Sequence, residues 1–235
     1  MYLLLTDRLT CPRCGPSFGL ILLADRMTDR RVHNGTLGCP NCRDSFAVEN
    51  GFADLRAPPR GPLPEGLAGS DPRRSGSVAD DDESAAGESA EARLEPSDDD
   101  VAKMTERLVA LLGIHRGPGT VVLTGRASLY ASAVVGRVDD LQTGAVDADT
   151  RHWSDVPMMS RMVAEPGLPF YSGTLRGAVV DGAGGSGVVF EGARVVAPRS
   201  RVVVLHAAAD TVGVLEEAGL DVMAAESGTV VATRG

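Results

Sequence analysis

The sequence predicts an α/β fold: a doubly wound, mostly parallel sheet with an antiparallel hairpin at the C-terminus, preceded by a small cysteine-containing domain. From residue 101 onward, runs rich in β-branched residues alternate with helical patterns, which is typical of parallel strands joined by crossover helices. The last two strand patterns flank Ser227 and Gly228, a pair that indicates a hairpin turn. The sheet is therefore expected to end in an antiparallel strand at one edge.

Local signals place the elements in order. Ser97 and three aspartates precede an apolar face with helical spacing over residues 101–112, and Gly113 follows it, which predicts an N-cap, a helix and its end. Further strands are predicted over residues 120–123, 143–146, 175–180 and 201–205, further helices over 128–138, 188–196 and 211–218, and the closing hairpin over 220–233.

Charge and composition divide the chain into three segments. Residues 61–100 hold twelve acidic residues against three arginines, which accounts for the whole net charge of −9. Residues 58–100 are rich in Pro, Gly, Ser, Ala, Asp and Glu and contain no aromatic residue, so they have too little apolar surface to offset the entropy of ordering. We therefore predict a zinc-ribbon-sized domain over 1–57, a disordered acidic linker over 58–100, and a Rossmann-like domain over 101–235.

The same counts narrow the classes of partner. Residues 1–60 carry eight arginines against six acidic residues, a surplus too small for an electrostatic footprint on a phosphate backbone. RNA binding therefore has no support from charge. No run of 18 apolar residues predicts a membrane span, and no signal-peptide core follows Met1. We expect a cytoplasmic protein, and thus cysteines that are not paired as disulfides.

Four cysteines form two Cys-x-x-Cys knuckles, Cys11 with Cys14 and Cys39 with Cys42. Each knuckle directs two thiolates to one point, and two knuckles complete a tetrahedral zinc site. Because all four positions are then filled, the zinc is structural. The alternatives are disulfides or a redox Cys-x-x-Cys pair. His33 is a weaker candidate ligand because four thiolates already suffice.

The N-terminal segment resembles the small zinc-ribbon family that activates tRNA, rRNA and protein methyltransferases. The resemblance covers about residues 1–56 and is carried by residues 3–5, the two knuckles at 9–14 and 37–42, Phe46 and residues 48–51. It implies a protein partner, and that partner would be a methyltransferase.

The C-terminal segment is similar to the class I S-adenosylmethionine methyltransferases. Leu168, Pro169 and Phe170 stand where that family has a turn before its fourth strand, and residues 193–198 match the segment before its fifth. The resemblance covers about residues 101–234, and it implies S-adenosylmethionine as cofactor. The cofactor-binding residues would then be Gly125 and Asp147. The Asp147 carboxylate would accept hydrogen bonds from the ribose hydroxyls, although Asp149 could take its place.

The sequence departs from this family in the loop that should meet the cofactor. Only Gly125 remains of several glycines in this loop, and glycines there let the main chain approach a ligand closely. A separate departure precedes the fifth strand, where Arg199 and Ser200 replace two glycines. We therefore expect a degenerate domain with no catalytic residues, whose S-adenosylmethionine binding is lost or weakened. The leading hypothesis is a zinc-binding scaffold or adaptor protein, and an active methyltransferase is the alternative.

A second glycine-rich loop supports a third hypothesis. Residues 182–187 read G-x-G-x-x-G after a strand and before a helix, a pattern found in dinucleotide sites. However, the preceding strand is not the first of its domain, and glycines also serve turn geometry. A nucleotide-binding regulator is therefore a further alternative. The four histidines show no clustered carboxylate or serine in the sequence.

Overall fold

The computed structural model describes residues 1–63 and 97–235. The disorder predicted for the acidic linker falls mainly on residues 64–96, which lie outside the described residues. The two ends of the predicted linker, residues 58–63 and 97–100, are part of the described structure. Arg60 contacts the Phe46 ring at 4.7 Å, and Asp98, Asp99 and Asp100 form the first turn of a helix.

The strands, in chain order, are β1 (Thr10–Cys11), β2 (Gly15–Gly19), β3 (Ile21–Thr28), β4 (Arg31–Gly38), β5 (Ser45–Glu49), β6 (Phe52–Arg56), β7 (Gly119–Thr124), β8 (Leu141–Val146), β9 (Met159–Glu165), β10 (Leu175–Asp181), β11 (Val196–Leu205), β12 (Leu220–Glu226) and β13 (Thr229–Arg234). The α-helices are α1 (Leu3–Thr6), α2 (Asp98–Leu112), α3 (Ala131–Arg137), α4 (Ser186–Val195) and α5 (Thr211–Glu217). Short 3₁₀ helices span Gly125–Tyr130, Ala148–His152 and Gly182–Gly184.

The order of strands confirms the predicted fold class. The strands that follow residue 101 lie in the spatial order β9-β8-β7-β10-β11-β13-β12. The pairs among β9, β8, β7, β10 and β11 are parallel, whereas β13 is antiparallel to both β11 and β12. The result is a doubly wound, mostly parallel sheet that ends in an antiparallel hairpin, the Rossmann-like arrangement of the methyltransferase fold.

Alternating side chains of these strands cover both faces of the sheet. Val122, Val180 and Val204 belong to the apolar cluster on which α4 and α5 pack. Val121, Val179 and Val203 belong to the cluster on the opposite face, under α2 and α3. Successive residues of a strand point to opposite faces, so valine runs such as residues 202–204 are buried on both sides. Among the described residues, no helix is both long and apolar enough to span a membrane.

The N-terminal segment extends this sheet. Strands β3 to β6 form an antiparallel run, and β6 then pairs in parallel with β9. One sheet of eleven strands, β12-β13-β11-β10-β7-β8-β9-β6-β5-β4-β3, therefore crosses both predicted domains. The N-terminal residues Met1 and Leu5 lie in the same core cluster as Phe170 of the α/β segment.

Strand β9 was not predicted from the sequence. Its residues include Ser160 and Arg161, which interrupt the apolar pattern, yet both are buried. The guanidinium of Arg161 donates to the carbonyls of Thr150 (3.2 Å) and Asn50 (2.6 Å) and pairs with Asp155 at 2.7 Å. Arg161 thus joins the N-terminal segment to the α/β segment.

We expect Arg161→Met to reduce the free energy of unfolding by about 3 kcal/mol, because buried carbonyls lose their donor and Asp155 loses an ion pair. Urea unfolding followed by circular dichroism measures the change. The matched control is Arg137→Met, which removes an exposed ion pair with Glu106 and should cost less than about 1 kcal/mol. Equal effects of the two substitutions would show that Arg161 is not the joining residue.

Candidate functional site

The four cysteines lie together. Cys11 Sγ is 3.6 Å from Cys42 Sγ, and Cys14 Sγ is 3.8 Å from Cys39 Sγ; all four sulfurs lie within 4.8 Å of one another. Sulfurs that each bind one zinc ion at about 2.3 Å in a tetrahedron are about 3.8 Å apart. The observed spacing therefore fits one ion bound by all four thiolates.

Two tight turns bring the knuckles together. The first knuckle joins β1 to β2, with Gly15 at φ +87°, a conformation that costs glycine little. In the second, the amide of Arg43 donates to the carbonyl of Cys39 at 3.0 Å. Arg13 and Asp44 link the two turns by an ion pair of 3.1 Å. The site is thus built from local turn geometry, as the spacing of the cysteines predicts.

Backbone amides stabilise negative charge on these sulfurs. Burial raises the pKa of Cys39, but hydrogen bonds from the amides of Cys42 and Asn41, together with those from the thiols of Cys11 and Cys42, outweigh it and lower this pKa to about 7. Cys11 accepts a hydrogen bond from the amide of Cys14 at 3.4 Å, although burial keeps the pKa of Cys11 above its usual value. Metal binding requires thiolates, so these amide donors favour the state that binds the ion.

His33 is placed away from this cluster. Its Nδ1 is 3.9 Å from an oxygen of Asp155, and His33 is not among the residues whose ligand atoms converge. The described structure therefore offers four sulfur ligands and leaves the imidazole beside the Arg161 junction.

The second candidate site is at the carboxyl edge of the parallel strands, where β7 and β10 lie side by side. The chain winds from β7 toward β9 in one direction and from β10 toward β12 in the other, which makes this the topological switch point at which α/β sheets bind ligands. Gly125 follows β7 here. Asp147 follows β8, the neighbour of β7 in the register Thr124 to Val146. The structure thus places the two predicted cofactor residues on adjacent strand ends.

Asp181, at the end of β10, occupies the space beside Gly125. A Cβ atom at Gly125, whose φ is +55°, would lie 3.0 Å from the Asp181 Cβ and 3.1 Å from its Oδ2. The Asp181 carboxylate accepts hydrogen bonds from the amides of Arg126 (3.1 Å) and Ala183 (3.1 Å) and contacts His206 Nδ1 at 2.9 Å. The Asp181 side chain therefore packs directly against Gly125 at the ends of the two strands.

The side chain of Asp181 is 9% exposed and that of His206 is 51% exposed. Burial raises the pKa of Asp181, but the hydrogen bonds from His206 and from the two amides outweigh it, and the pKa falls below its usual value. Asp181 is thus an anion held by three N–H donors. The prediction that no carboxylate lies near a histidine is wrong: Asp181 and His206 are 25 residues apart in the sequence, and only the sheet brings them together.

Asp147 has a local structural role as well. Its Oδ1 accepts the amide of Asp149 at 2.9 Å, which caps the 3₁₀ helix Ala148–His152. Asp149, the other candidate for the ribose contact, is inside that helix. The assignment of Gly125 and Asp147 as cofactor residues stays a prediction.

The glycine-rich loop after β10 begins with a packing requirement. A Cβ at Gly182 would lie 2.8 Å from the carbonyl oxygen of His206 and 3.0 Å from that of Leu205. Glycine is therefore needed there for the close approach of β11, independently of any nucleotide. A Cβ at Gly184 would lie 2.9 Å from Cγ1 of Val188, whereas Gly185 and Gly187 have open space around them.

Comparisons with known proteins were made for the whole chain. No family model matches it, and a comparison with curated proteins also finds no match. Solved structures with a related fold include a geranyl diphosphate methyltransferase in complex with SAM (14% identity, TM-score 0.44, 61% of this chain and 86% of that one). A precorrin-6y C5,15-methyltransferase from Geobacter metallireducens has 14% identity and TM-score 0.42, covering 62% of this chain and 94% of that one.

A protein assigned to the methyltransferases of an antibiotic biosynthesis pathway in Anabaena variabilis has 13% identity and TM-score 0.35. The likeness covers 44% of this chain and 44% of the Anabaena protein. These TM-scores are all below 0.5, and the fold class is shown by the strand order of the sheet. The described residues contain a Rossmann-like sheet of that order and a four-cysteine cluster.

We expect the purified protein to hold one zinc ion per chain and Cys39→Ser to hold none. Apparent zinc affinities of such sites are on the order of 10–16 kcal/mol, so the variant should also lose order in β1, β2 and the knuckles. Zinc quantification after gel filtration and hydrogen exchange measure both effects.

His33→Ala is the control for this experiment, because it removes a potential ligand that lies outside the cluster. It should retain one zinc ion. A wild-type protein that holds no metal, or a His33→Ala variant that loses it, would contradict the assignment.

Proposed function

We propose that the chain is a zinc-binding adaptor whose methyltransferase-like α/β segment does not bind S-adenosylmethionine and whose N-terminal segment binds a partner protein, with a methyltransferase as the partner implied by the zinc-ribbon resemblance. The zinc ion has a structural role in this proposal, because all four of its ligand positions are taken by thiolates. It supplies no open coordination position to a substrate.

One observation carries the proposal: the Asp181 side chain lies directly against Gly125, and its carboxylate accepts the amide of Arg126 at 3.1 Å. The resemblance implies that S-adenosylmethionine would approach the main chain of this loop, so the ligand would have to displace that carboxylate. The chain would then lose contacts that it uses for its own folding.

The outer edge of the sheet is the surface that favours a protein partner. Strand β3 is the last strand of the eleven in the described residues. Its side chains Ile21, Leu23 and Met27 are 57%, 65% and 50% exposed. Apolar side chains exposed on an edge strand are typical of protein-binding surfaces, because the strand also offers unpaired backbone groups.

The active methyltransferase is the second candidate, and one observation favours it. Asp147 and Gly125 lie on adjacent strand ends at the switch point, the position at which this fold binds its ligand. In this alternative Asp181 would have to move when the donor binds.

Calorimetric titration of the zinc-loaded full-length chain with S-adenosylhomocysteine separates the two candidates. We expect no saturable binding up to about 1 mM, which corresponds to less than about 4 kcal/mol of binding free energy. Asp147→Asn is the matched variant. A micromolar dissociation constant that Asp147→Asn weakens would replace the adaptor by the active enzyme.

The partner surface is tested with a charge placed on it. We expect Leu23→Asp to abolish co-purification of a methyltransferase from the native host, because a carboxylate would be buried in an apolar interface. Met223→Asp is the control, since Met223 is similarly exposed, at 53%, on the opposite edge strand β12. Mass spectrometry of the captured complexes reads the outcome. Capture of the same methyltransferase by wild type and Leu23→Asp would contradict this surface.

A further inference from the structure

A cavity of about 390 Å³ lies at the edge of the sheet opposite to the switch point. It is formed by the turn before β10, the second half of α4, the start of β11, the end of α5 and the end of β13. Phe190, Pro198 and Ala218 form its apolar walls, and Ser172, Arg194 and Arg234 are its polar side chains. The volume is in the range of small-molecule sites, about 300–1,000 Å³, and mostly apolar walls with a few polar groups are typical of them.

The two arginines have different roles in this cavity. Arg194 is fully engaged: its Nε and Nη2 donate to the Glu191 carboxylate at 2.7 and 2.8 Å. The same guanidinium also donates to the carbonyls of Phe170 and Leu168, each at 2.7 Å. Its charge is therefore neutralised and its plane is fixed. Arg194 shapes a wall of the cavity and has little capacity left for a ligand.

Arg234 is not neutralised in this way. Its Nη2 donates to the carbonyl of Ala193 at 2.8 Å, which orients the side chain. Its Nε is buried without a hydrogen-bond partner, and Arg234 makes no ion pair within the described residues. A guanidinium that forms no ion pair with the described residues favours an anionic ligand.

Ser172 and Phe190 complete the site. The hydroxyl oxygen of Ser172 accepts a hydrogen bond from Arg194 at 3.2 Å, so its proton remains available to a ligand. Phe190 is a large aromatic side chain that is 48% exposed, although its neighbours Val189 and Ala193 on the same helix are buried. A ligand that covers the Phe190 ring would remove apolar surface from water.

We propose that this cavity binds a small organic anion with an apolar body, an aromatic or medium-chain carboxylate. The carboxylate would contact the Arg234 guanidinium and the Ser172 hydroxyl, while the apolar body would pack on Phe190, Pro198 and Ala218. The site shares no residue with the cysteine cluster or with the crevice at Gly125. It is therefore a ligand site beyond the proposed adaptor function, and neither depends on the other.

The probe for this site is 8-anilinonaphthalene-1-sulfonate, an aromatic anion whose fluorescence rises in apolar surroundings. Titration into the zinc-loaded full-length protein should saturate at one site per chain. We expect Arg234→Gln to weaken the affinity about tenfold, through loss of a charged contact, and Phe190→Ala to weaken it by a similar factor. Met223→Ala, which removes an equally exposed apolar side chain elsewhere, should leave the affinity unchanged.

Competition tests the chemical class of the ligand. Octanoate should displace the dye at concentrations at which octanol, which has the same chain without charge, does not. If Arg234→Gln fails to fold, Phe190→Ala still tests the site. Because Phe190 is exposed, the Phe190→Ala variant should unfold at the same thermal midpoint as the wild-type protein. Unchanged dye affinity in Phe190→Ala, or equal displacement by octanol and octanoate, would overturn the proposal.

Discussion

The parallel pairing of β6 with β9 is the interaction on which the rest of the described structure depends. Five residue pairs, from Phe52 with Arg161 to Arg56 with Glu165, join the N-terminal segment to the α/β segment. A parallel edge strand left without this neighbour would expose its backbone groups to water or to other chains. Arg161 adds a buried cation whose partners come from both sides of the junction. The knuckles are thereby fixed relative to the α/β sheet.

This junction also bears on the role of the proposed zinc ion. Residues 1–57 are too few to form a large core of their own, but Met1, Leu5, Phe46 and Leu55 are fully buried in a core shared with the α/β segment. Burial extends to the amino group of Met1, whose pKa falls to about 5 through burial and then through the charge of Arg31. An ion at the cysteine cluster would therefore contribute mainly where this core ends. There Cys14 and Cys42 are only partly buried, and the ion would hold two short turns together.

Local signals predict most of the α/β elements and the cysteine cluster. Ser97 caps α2 and Gly113 ends it in the left-handed conformation. The cysteine cluster could be predicted because two Cys-x-x-Cys knuckles are typical of one metal site, although Cys11 and Cys42 are 31 residues apart. Strand β9 could not be predicted, because the burial of Arg161 depends on the carbonyl of Asn50, 111 residues away. The pairing of Asp181 with His206 is non-local in the same way. The sequence therefore predicts contacts within one turn and sites that carry a recognisable motif, and it misses contacts that depend on strand order alone.

Gly125 is the glycine that the methyltransferase resemblance assigns to the cofactor loop, and the close approach that it permits is used here by Asp181. If the carboxylate moved to admit S-adenosylmethionine, it would lose its hydrogen bonds from the amides of Arg126 and Ala183 and its contact with His206. A hydrogen bond to a charged group contributes about 1.5–3 kcal/mol, so the loss of all three would cost at least about 4 kcal/mol. That cost weakens an affinity by roughly 1,000-fold, and a ligand of micromolar intrinsic affinity would then bind no more tightly than about 1 mM. In the adaptor proposal, one aspartate on β10 is therefore sufficient to make the loop a poor cofactor site.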